Sequence, residues 1–184
     1  GKADVCARAA AGFLCTLSQS GGTTPVLGAF SNDQGFSDIS AWSTLRMADV
    51  NGDRRADVCG RVPAWGWRCY LSDGSAFGVE VAGPEMTDSN GWTDPTNYRT
   101  LRMGDLDGDG KSDLCGRGDA GFYCWLSKGD HFGDAITGPE WSDTNGWANA
   151  SVDSIIRMGD VNGDGKADVC ARSSFGINCF LFDG

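Results

Sequence analysis

The side chains best suited to chemistry are acidic and amide groups that alternate along a short loop. In one copy, Asp105, Asp107 and Asp109 occupy alternate positions, Gly110 follows, and Asp113 closes the motif. Hard cations such as Ca²⁺ bind six to eight oxygens, and short side chains on alternate residues of a tight loop can converge on one ion. The pattern therefore predicts a calcium-binding loop.

The motif recurs along the chain, with further intact copies that begin at Asp49 and Asp160. Residues 1–8 match the end of the last copy, at residues 165–172. Repetition at this period is typical of stacked supersecondary units that bury their apolar faces against one another. An EF-hand loop ends with a bidentate Glu and continues as a helix, whereas here Ala or Gly stands at that position and a strand-like segment follows. We therefore expect calcium sites between strands.

The repeats predict two to three structural Ca²⁺ ions, and the alternative is a set of acidic turns that hold no metal. We expect the weakest site in the first intact copy, where Arg54 replaces a glycine whose left-handed conformation suits Gly best. The seventh residue of each loop would contribute its main-chain carbonyl. The predicted ligands are Asp49, Asn51, Asp53, Arg55, Asp57, Asp105, Asp107, Asp109, Lys111, Asp113, Asp160, Asn162, Asp164, Lys166 and Asp168.

The loop motif, the Asp-Val or Asp-Leu strand that follows it, and the Phe77-Gly78 and Phe132-Gly133 pairs resemble the FG-GAP (VCBS-type) calcium-binding repeat family. Members of that family include the integrin α-chain propeller and fungal and bacterial propeller lectins. The resemblance implies an all-β fold, a β-propeller-type array of four-stranded blades with calcium in loops between strands. It implies no single function, because the family spans adhesion, sugar binding and accessory modules of secreted enzymes.

The composition narrows the class of protein. The chain has 184 residues and a net charge of −10, which argues against binding to nucleic acid or to anionic membranes. No apolar run approaches the length of a transmembrane helix. We expect one domain over residues 1–184, built from about four repeats of roughly 55 residues. Its repeat hairpins should lie near residues 1–20, 45–74, 101–129 and 156–184.

The eight cysteines fall into four close pairs, one in each repeat. Pairing the two cysteines across an antiparallel hairpin leaves short turns, such as Ala10-Ala11, Asp119-Ala120 and Ser174-Phe175, and a three-residue turn at Pro63–Trp65. Zinc sites need tighter clustering of Cys and His. The predicted disulfides, which indicate a secreted protein, are Cys6–Cys15, Cys59–Cys69, Cys115–Cys124 and Cys170–Cys179.

The hairpins and the segments between them predict four-stranded units at the centre of the chain and incomplete ones at its ends. We expect a first strand near Ser43–Met47, a third strand of the first repeat near Val26-Leu27, and fourth strands near Val79–Val81 and Ala135–Thr137. The first unit would lack its first strand and the last unit its fourth. Because exposed strand edges invite pairing, we expect residues 1–8 and 176–184 to be covered, within one chain or in a homo-oligomer.

The connectors between repeats also recur, and they carry aromatic, amide and carboxylate side chains. One interpretation is that the aromatics staple repeats together and that Arg46, Arg102 and Arg157 brace loop carboxylates. The other is a cleft between repeats in which an aromatic ring stacks on a sugar. The predicted ligand-binding residues are Trp92, Trp147, Trp42, Tyr98, Asn90, Asn145, Asp88 and Asp143.

No catalytic constellation is evident. His131 is the only histidine, every cysteine has a predicted disulfide partner, and the carboxylates have the spacing of calcium ligands. We therefore predict a non-enzyme, a secreted lectin-like module that binds glycans or a glycoprotein surface. The alternative is a protein-interaction or structural repeat module, including the accessory domain of a larger secreted enzyme.

Overall fold

The computed structural model of the chain describes residues 3–149, 155–173 and 176–182, which form four antiparallel sheets in sequence order. Sheet A contains β1 (Val5–Ala9) and β2 (Gly12–Thr16). Sheet B contains β3 (Arg46–Ala48), β4 (Asp57–Val62), β5 (Gly66–Ser72) and β6 (Phe77–Ala82). Sheet C contains β7 (Arg102–Gly104), β8 (Asp113–Gly118), β9 (Gly121–Trp125) and β10 (Ile136–Thr137). Sheet D contains β11 (Arg157–Gly159), β12 (Asp168–Ser173) and β13 (Gly176–Phe180).

Each sheet is organised around a hairpin closed by a disulfide. The bonds are Cys6–Cys15, Cys59–Cys69, Cys115–Cys124 and Cys170–Cys179, which is the predicted pairing. The strand register leaves the predicted turns at residues 10–11, 63–65 and 119–120. Residues 174–175, the fourth predicted turn, lie outside the described residues. The all-β fold with one disulfide in each repeat hairpin is therefore confirmed.

The connectors contain short helices that the sequence did not predict. Helices α1 (Ile39–Trp42) and α2 (Pro95–Tyr98) are each a single turn, and Asp38 and Asp94 cap them by accepting the N–H groups two residues on. A 3-10 turn precedes each helix, at Asn32–Gln34 and Asp88–Asn90, and another lies at Asp143–Asn145. The helices displace the predicted first strand, which begins at Arg46 and not at Ser43.

Three apolar clusters fill the spaces between successive sheets. The first includes Phe13, Phe36 and Val58, so it draws on sheet A, the connector and sheet B. The second, between sheets B and C, includes Trp67, Trp92, Leu101 and Leu114. The third, between sheets C and D, includes Phe122, Trp141, Ile156 and Val169. Because every sheet borders a cluster, no single repeat buries its apolar face alone, as expected for stacked units.

The two ends of the array have open edges in the described part of the chain. Strand β1 pairs only with β2, and β13 pairs only with β12. Val5 and Ile177 are largely exposed. The predicted third strand at Val26-Leu27 is reduced to an isolated bridge between Leu27 and Phe13. Coverage of these edges is not observed among the described residues, and the two-chain version remains a prediction.

The packing of Trp92 depends on a glycine in the strand beneath it. A Cβ added to Gly116 would lie 2.6 Å from Leu101 Cδ2 and 3.2 Å from Trp92 Cη2. We therefore expect Gly116→Ala to lower the free energy of unfolding by about 1–3 kcal/mol through overpacking. Gly78→Ala is the matched control, since a Cβ there meets nothing within 4 Å. Urea titrations of the two variants measure the difference, and equal stabilities would contradict this account of the packing.

Candidate functional site

The acidic loops join the first and second strands of sheets B, C and D, as predicted. In the loop of sheet C, one carboxylate oxygen from each of Asp105, Asp107 and Asp109 lies within 4.8 Å of the others. The carboxylate of Asp105 accepts the N–H groups of Gly108 and Gly110 at 2.8 Å, so the loop is wound around this side chain. Hard oxygens gathered at this spacing fit a calcium ion.

The aspartate at the ninth loop position has a different environment from the other three. Asp113 is fully buried, and its two oxygens accept the N–H groups of Leu106 and Ser127, each at 2.7 Å. Burial and the nearby carboxylates Asp107 and Asp109 raise the pKa of Asp113 to about 7, against the effect of these two bonds. The same pair of backbone bonds is made by Asp57 and Asp168. These three residues tie each loop to the strand end beside it, and Asp113 does not join the carboxylate group of Asp105, Asp107 and Asp109.

The loops of neighbouring repeats are also bonded to one another. The Asp49 carbonyl accepts the N–H of Ser112 at 2.7 Å, and the Asp105 carbonyl accepts the N–H of Ala167 at 2.6 Å. Each bond connects the first residue of one loop to the eighth residue of the next. A cation that orders one loop would therefore also fix the contact between two sheets.

The loop of sheet B differs from the other two at its sixth residue, where Arg54 stands in place of glycine. Its ion pair between Arg55 and Asp53 at 2.8 Å is matched in sheet C by Lys111 and Asp109 at 2.6 Å. Arg54 has φ of 67°, in the left-handed region, where Gly110 and Gly165 have 85° and 86°. A side chain in this conformation costs about 1–2 kcal/mol. The backbone at Arg54, the sixth loop residue, is therefore left-handed, as expected.

A buried arginine at the end of each central hairpin joins two connectors. Arg61 is fully buried, donates from Nε and Nη2 to the carbonyl and hydroxyl of Ser40 in α1, and pairs with Asp88 at 2.6 Å. Arg117 repeats this pattern with the Thr96 carbonyl in α2 and an ion pair to Asp143. Two predicted sugar-binding carboxylates, Asp88 and Asp143, are therefore partners of buried guanidinium groups.

The predicted aromatic residues divide into buried and exposed ones. Trp92 is 9% exposed within the second core cluster, and Tyr98 is 3% exposed. Trp147 is half-buried and stacks on Trp141 with 4.6 Å between ring centroids. Trp42 is 46% exposed. Asn90 and Asn145 are exposed, and each donates to a carbonyl of its own connector.

Trp42 borders a cleft of about 570 Å³ between sheet A and α1. The lining also includes Arg8, Asn32, Phe36, Ser37 and Leu45. Arg8 donates to the Asn32 side-chain oxygen at 3.0 Å and to the Phe36 carbonyl. The cleft thus combines an exposed indole with a guanidinium, an amide and a hydroxyl.

One segment of the chain matches a known repeat family. Residues 105–171 match the FG-GAP-like repeat model. The FG-GAP-like segment begins with the acidic loop of sheet C and ends in β12, so it covers one full interval between loops. This match supports the resemblance to the repeat family for that segment. No curated protein matches the chain at a significant level.

Solved structures share the fold beyond the FG-GAP-like segment. A lectin from Agrocybe aegerita that recognises non-reducing terminal N-acetylglucosamine superimposes with a TM-score of 0.77 over 98% of this chain, at 24% identity. The chain spans 46% of the length of that lectin. The Photorhabdus luminescens Tc holotoxin pore superimposes with a TM-score of 0.61 over 96% of this chain, at 20% identity, and the chain spans 8% of its length. At these identities the likeness concerns the fold.

Among the described residues, no helix is long and apolar enough to cross a membrane.

Sequence reasoning missed Arg8, Asn32 and Ser37 as candidate ligand-binding residues. Their signal was present in the repeat alignment, because Arg8 corresponds to Arg61, and Asn32 corresponds to Asp88. The buried copies of this pair, Arg61 with Asp88 and Arg117 with Asp143, bond neighbouring connectors to each other. The copy at Arg8 is half-buried, and it lines a cleft.

The burial of Trp92 predicts that its removal destabilises the protein. Trp92→Ala leaves a cavity between sheets B and C, so we expect a loss of about 3–5 kcal/mol in the free energy of unfolding. Trp65→Ala is the control, because Trp65 is 47% exposed in a hairpin turn and should change stability little. Thermal and urea unfolding would measure both variants. A Trp92→Ala protein as stable as Trp65→Ala would contradict a core role.

Proposed function

We propose that this protein is a non-catalytic, calcium-stabilised, extracellular module of the β-propeller type that binds carbohydrate. The observation that carries the proposal is the exposed indole of Trp42 in a cleft with Arg8, Asn32 and Ser37. The lectin-like fold supports it. The four disulfides support an extracellular location.

The Trp42 cleft has the chemistry that a pyranose requires. The indole can cover the apolar C–H face of the ring, while Arg8, the Asn32 amide and the Ser37 hydroxyl exchange hydrogen bonds with sugar hydroxyls. Small-molecule sites are typically apolar and aromatic clefts with a few polar groups that fix orientation. Because the Arg8–Asn32 bond already orients both groups, little ordering is needed on binding.

The carbohydrate prediction is tested by glycan-array screening followed by calorimetry with the best ligand, starting from N-acetylglucosamine-terminated glycans. We expect Trp42→Ala to weaken binding at least about tenfold, since aromatic anchors often dominate binding energy. Trp65→Ala removes an equally exposed indole outside the cleft and should bind normally. Unchanged affinity in Trp42→Ala would refute the role of the cleft in binding. A parent protein that binds no glycan would refute the lectin hypothesis.

Calcium binding at the acidic loops is the second part of the proposal. Its support is the convergence of Asp105, Asp107 and Asp109, whose mutual repulsion is offset only in part by the ion pair between Lys111 and Asp109 at 2.6 Å. The bound ion would supply a fixed positive charge and order the loop. The bonds from Asp49 to Ser112 and from Asp105 to Ala167 would transmit that order to the next sheet.

The calcium prediction is that chelation destabilises the fold. At free calcium one hundred times the dissociation constant, one site stabilises the native state by about 3 kcal/mol. Excess chelator should therefore lower the melting temperature, and Asp107→Ala should reduce the size of this effect. Asp134→Ala is the control, because it removes an exposed carboxylate outside the loops. An unchanged melting curve in chelator, with no calcium by elemental analysis, would exclude the metal.

The alternative function is a protein-interaction or structural module. The open edges of β1 and β13 favour it, since unpaired strand edges can add a strand from another molecule. The fold shared with a segment of the Tc holotoxin pore is compatible with such an accessory role. Binding of a protein partner that persists in Trp42→Ala, without glycan binding by the parent, would favour this alternative.

A further inference from the structure

A second cavity, of about 350 Å³, concentrates positive charge in a protein whose net charge is −10. Four of its six lining residues are arginines, and the other two, Ile39 and Ser43, belong to α1 or its C-terminal end. Among the described lining residues, none is acidic. The arginines are Arg46, Arg99, Arg102 and Arg157.

Three of these arginines occupy the same position in successive repeats, the first residue of β3, β7 and β11. The guanidinium of Arg46 donates to the Leu101 carbonyl of the next repeat at 3.1 Å. Arg102 donates from Nε to the Ile156 carbonyl of the following repeat at 2.8 Å. Carbonyl groups are neutral acceptors, so these two bonds orient the guanidinium groups and add no negative charge beside them. The repeat therefore places an arginine at the same position of three successive sheets.

Arg99 adds a fourth cation from a different element. It follows the last residue of α2 and lies over the Tyr98 ring, with 5.7 Å between the guanidinium carbon and the ring centroid. The contact with a buried ring restrains the exposed Arg99 side chain beside the cavity. Arg46 is half-buried there, and burial lowers its pKa. Like charges that line one cavity favour the capture of an anion.

We propose that this arginine cavity binds a compact oxyanion, a sulfate or phosphate group that is either free or esterified to a sugar. The planar guanidinium fork matches the oxygen spacing of such groups and can donate two parallel hydrogen bonds. The cavity volume is at the lower end of the range for small-molecule sites, which suits a small ligand. The site is separate from the Trp42 cleft, so it goes beyond the proposed binding of neutral sugars.

The acidic loops lie at the other end of the same strands. Arg46 begins β3 and Asp49 follows its last residue, a separation of about 10 Å at the usual rise of a strand. At physiological ionic strength this is close to the screening length of about 8 Å. Loop carboxylates would therefore weaken anion binding modestly, and calcium would relieve that repulsion. The binding experiment should accordingly be run with calcium present.

The test is calorimetric titration of the intact protein with inorganic sulfate and, separately, with inorganic phosphate, both in low-salt buffer. Calcium is present in the sulfate titration. We expect saturable binding that weakens at least about tenfold in Arg99→Gln/Arg157→Gln, since charge-assisted bonds dominate such sites. Lys128→Gln is the matched control, because it removes one exposed cation elsewhere and should change affinity less than about twofold. Titration with N-acetylglucosamine 6-sulfate distinguishes a free ion from a sulfated sugar, which would bind more tightly than inorganic sulfate.

Folding of the double variant is checked by circular dichroism, and Arg99→Gln alone serves as the test if the double variant is unfolded. Among the described residues, the Arg99 side chain contacts the Tyr98 ring and donates to no backbone carbonyl, so its loss should leave the fold intact. Titrations of the parent that do not saturate would overturn the proposal. Equal losses in Arg99→Gln and Lys128→Gln would also overturn it, since they would indicate a general charge effect.

Discussion

The arrangement of the connectors depends on a guanidinium group buried at the end of each central hairpin. Arg61 and Arg117 are fully buried, and each joins the helix before its sheet to the 3-10 turn after it. Removing one partner of such a pair leaves a buried charge uncompensated, which typically costs about 3–5 kcal/mol. Arginine suits this position because its five donors can satisfy carbonyl, hydroxyl and carboxylate groups at once. These bonds hold the connector that carries Trp92 over Gly116.

Charge is divided along the first strand of each repeat. Arginines stand at the start of β3, β7 and β11, and acidic loops follow the ends of these strands. Stacking the repeats places arginines beside arginines and acidic loops beside acidic loops, so charge repulsion accumulates at both ends of these strands. Bonds between loops, such as Asp105 to Ala167, hold the acidic groups near one another despite this repulsion. This polarity underlies both proposals, a calcium ion at the acidic ends of these strands and an oxyanion at their arginine ends.

Local pattern was enough to predict the hairpins, the disulfides and the position of the loops. A cysteine pair nine or ten residues apart specifies the register of its hairpin, and the period of the repeat specifies where each hairpin and acidic loop lies in the chain. The helices α1 and α2 were not predicted because a single turn carries no periodic signal. Its only local marks are the capping residues Asp38 and Asp94, which occur equally in turns. Val26-Leu27 has the composition of a strand but makes one bridge, since strand formation depends on an available partner.

The candidate binding residues were harder to predict because the same repeat position has different surroundings in different repeats. Trp42 and Tyr98 are equivalent in sequence and both end a one-turn helix, yet Trp42 is 46% exposed and Tyr98 only 3%. Arg8 and Arg61 are likewise equivalent, but Arg61 is enclosed by Ser40 and Asp88, whereas Arg8 faces the cleft. Sequence identifies an aromatic and an arginine at each repeat, and the neighbouring repeat decides whether they become core or surface. The cleft proposed to bind carbohydrate therefore lies where the repeated pattern of burial is interrupted.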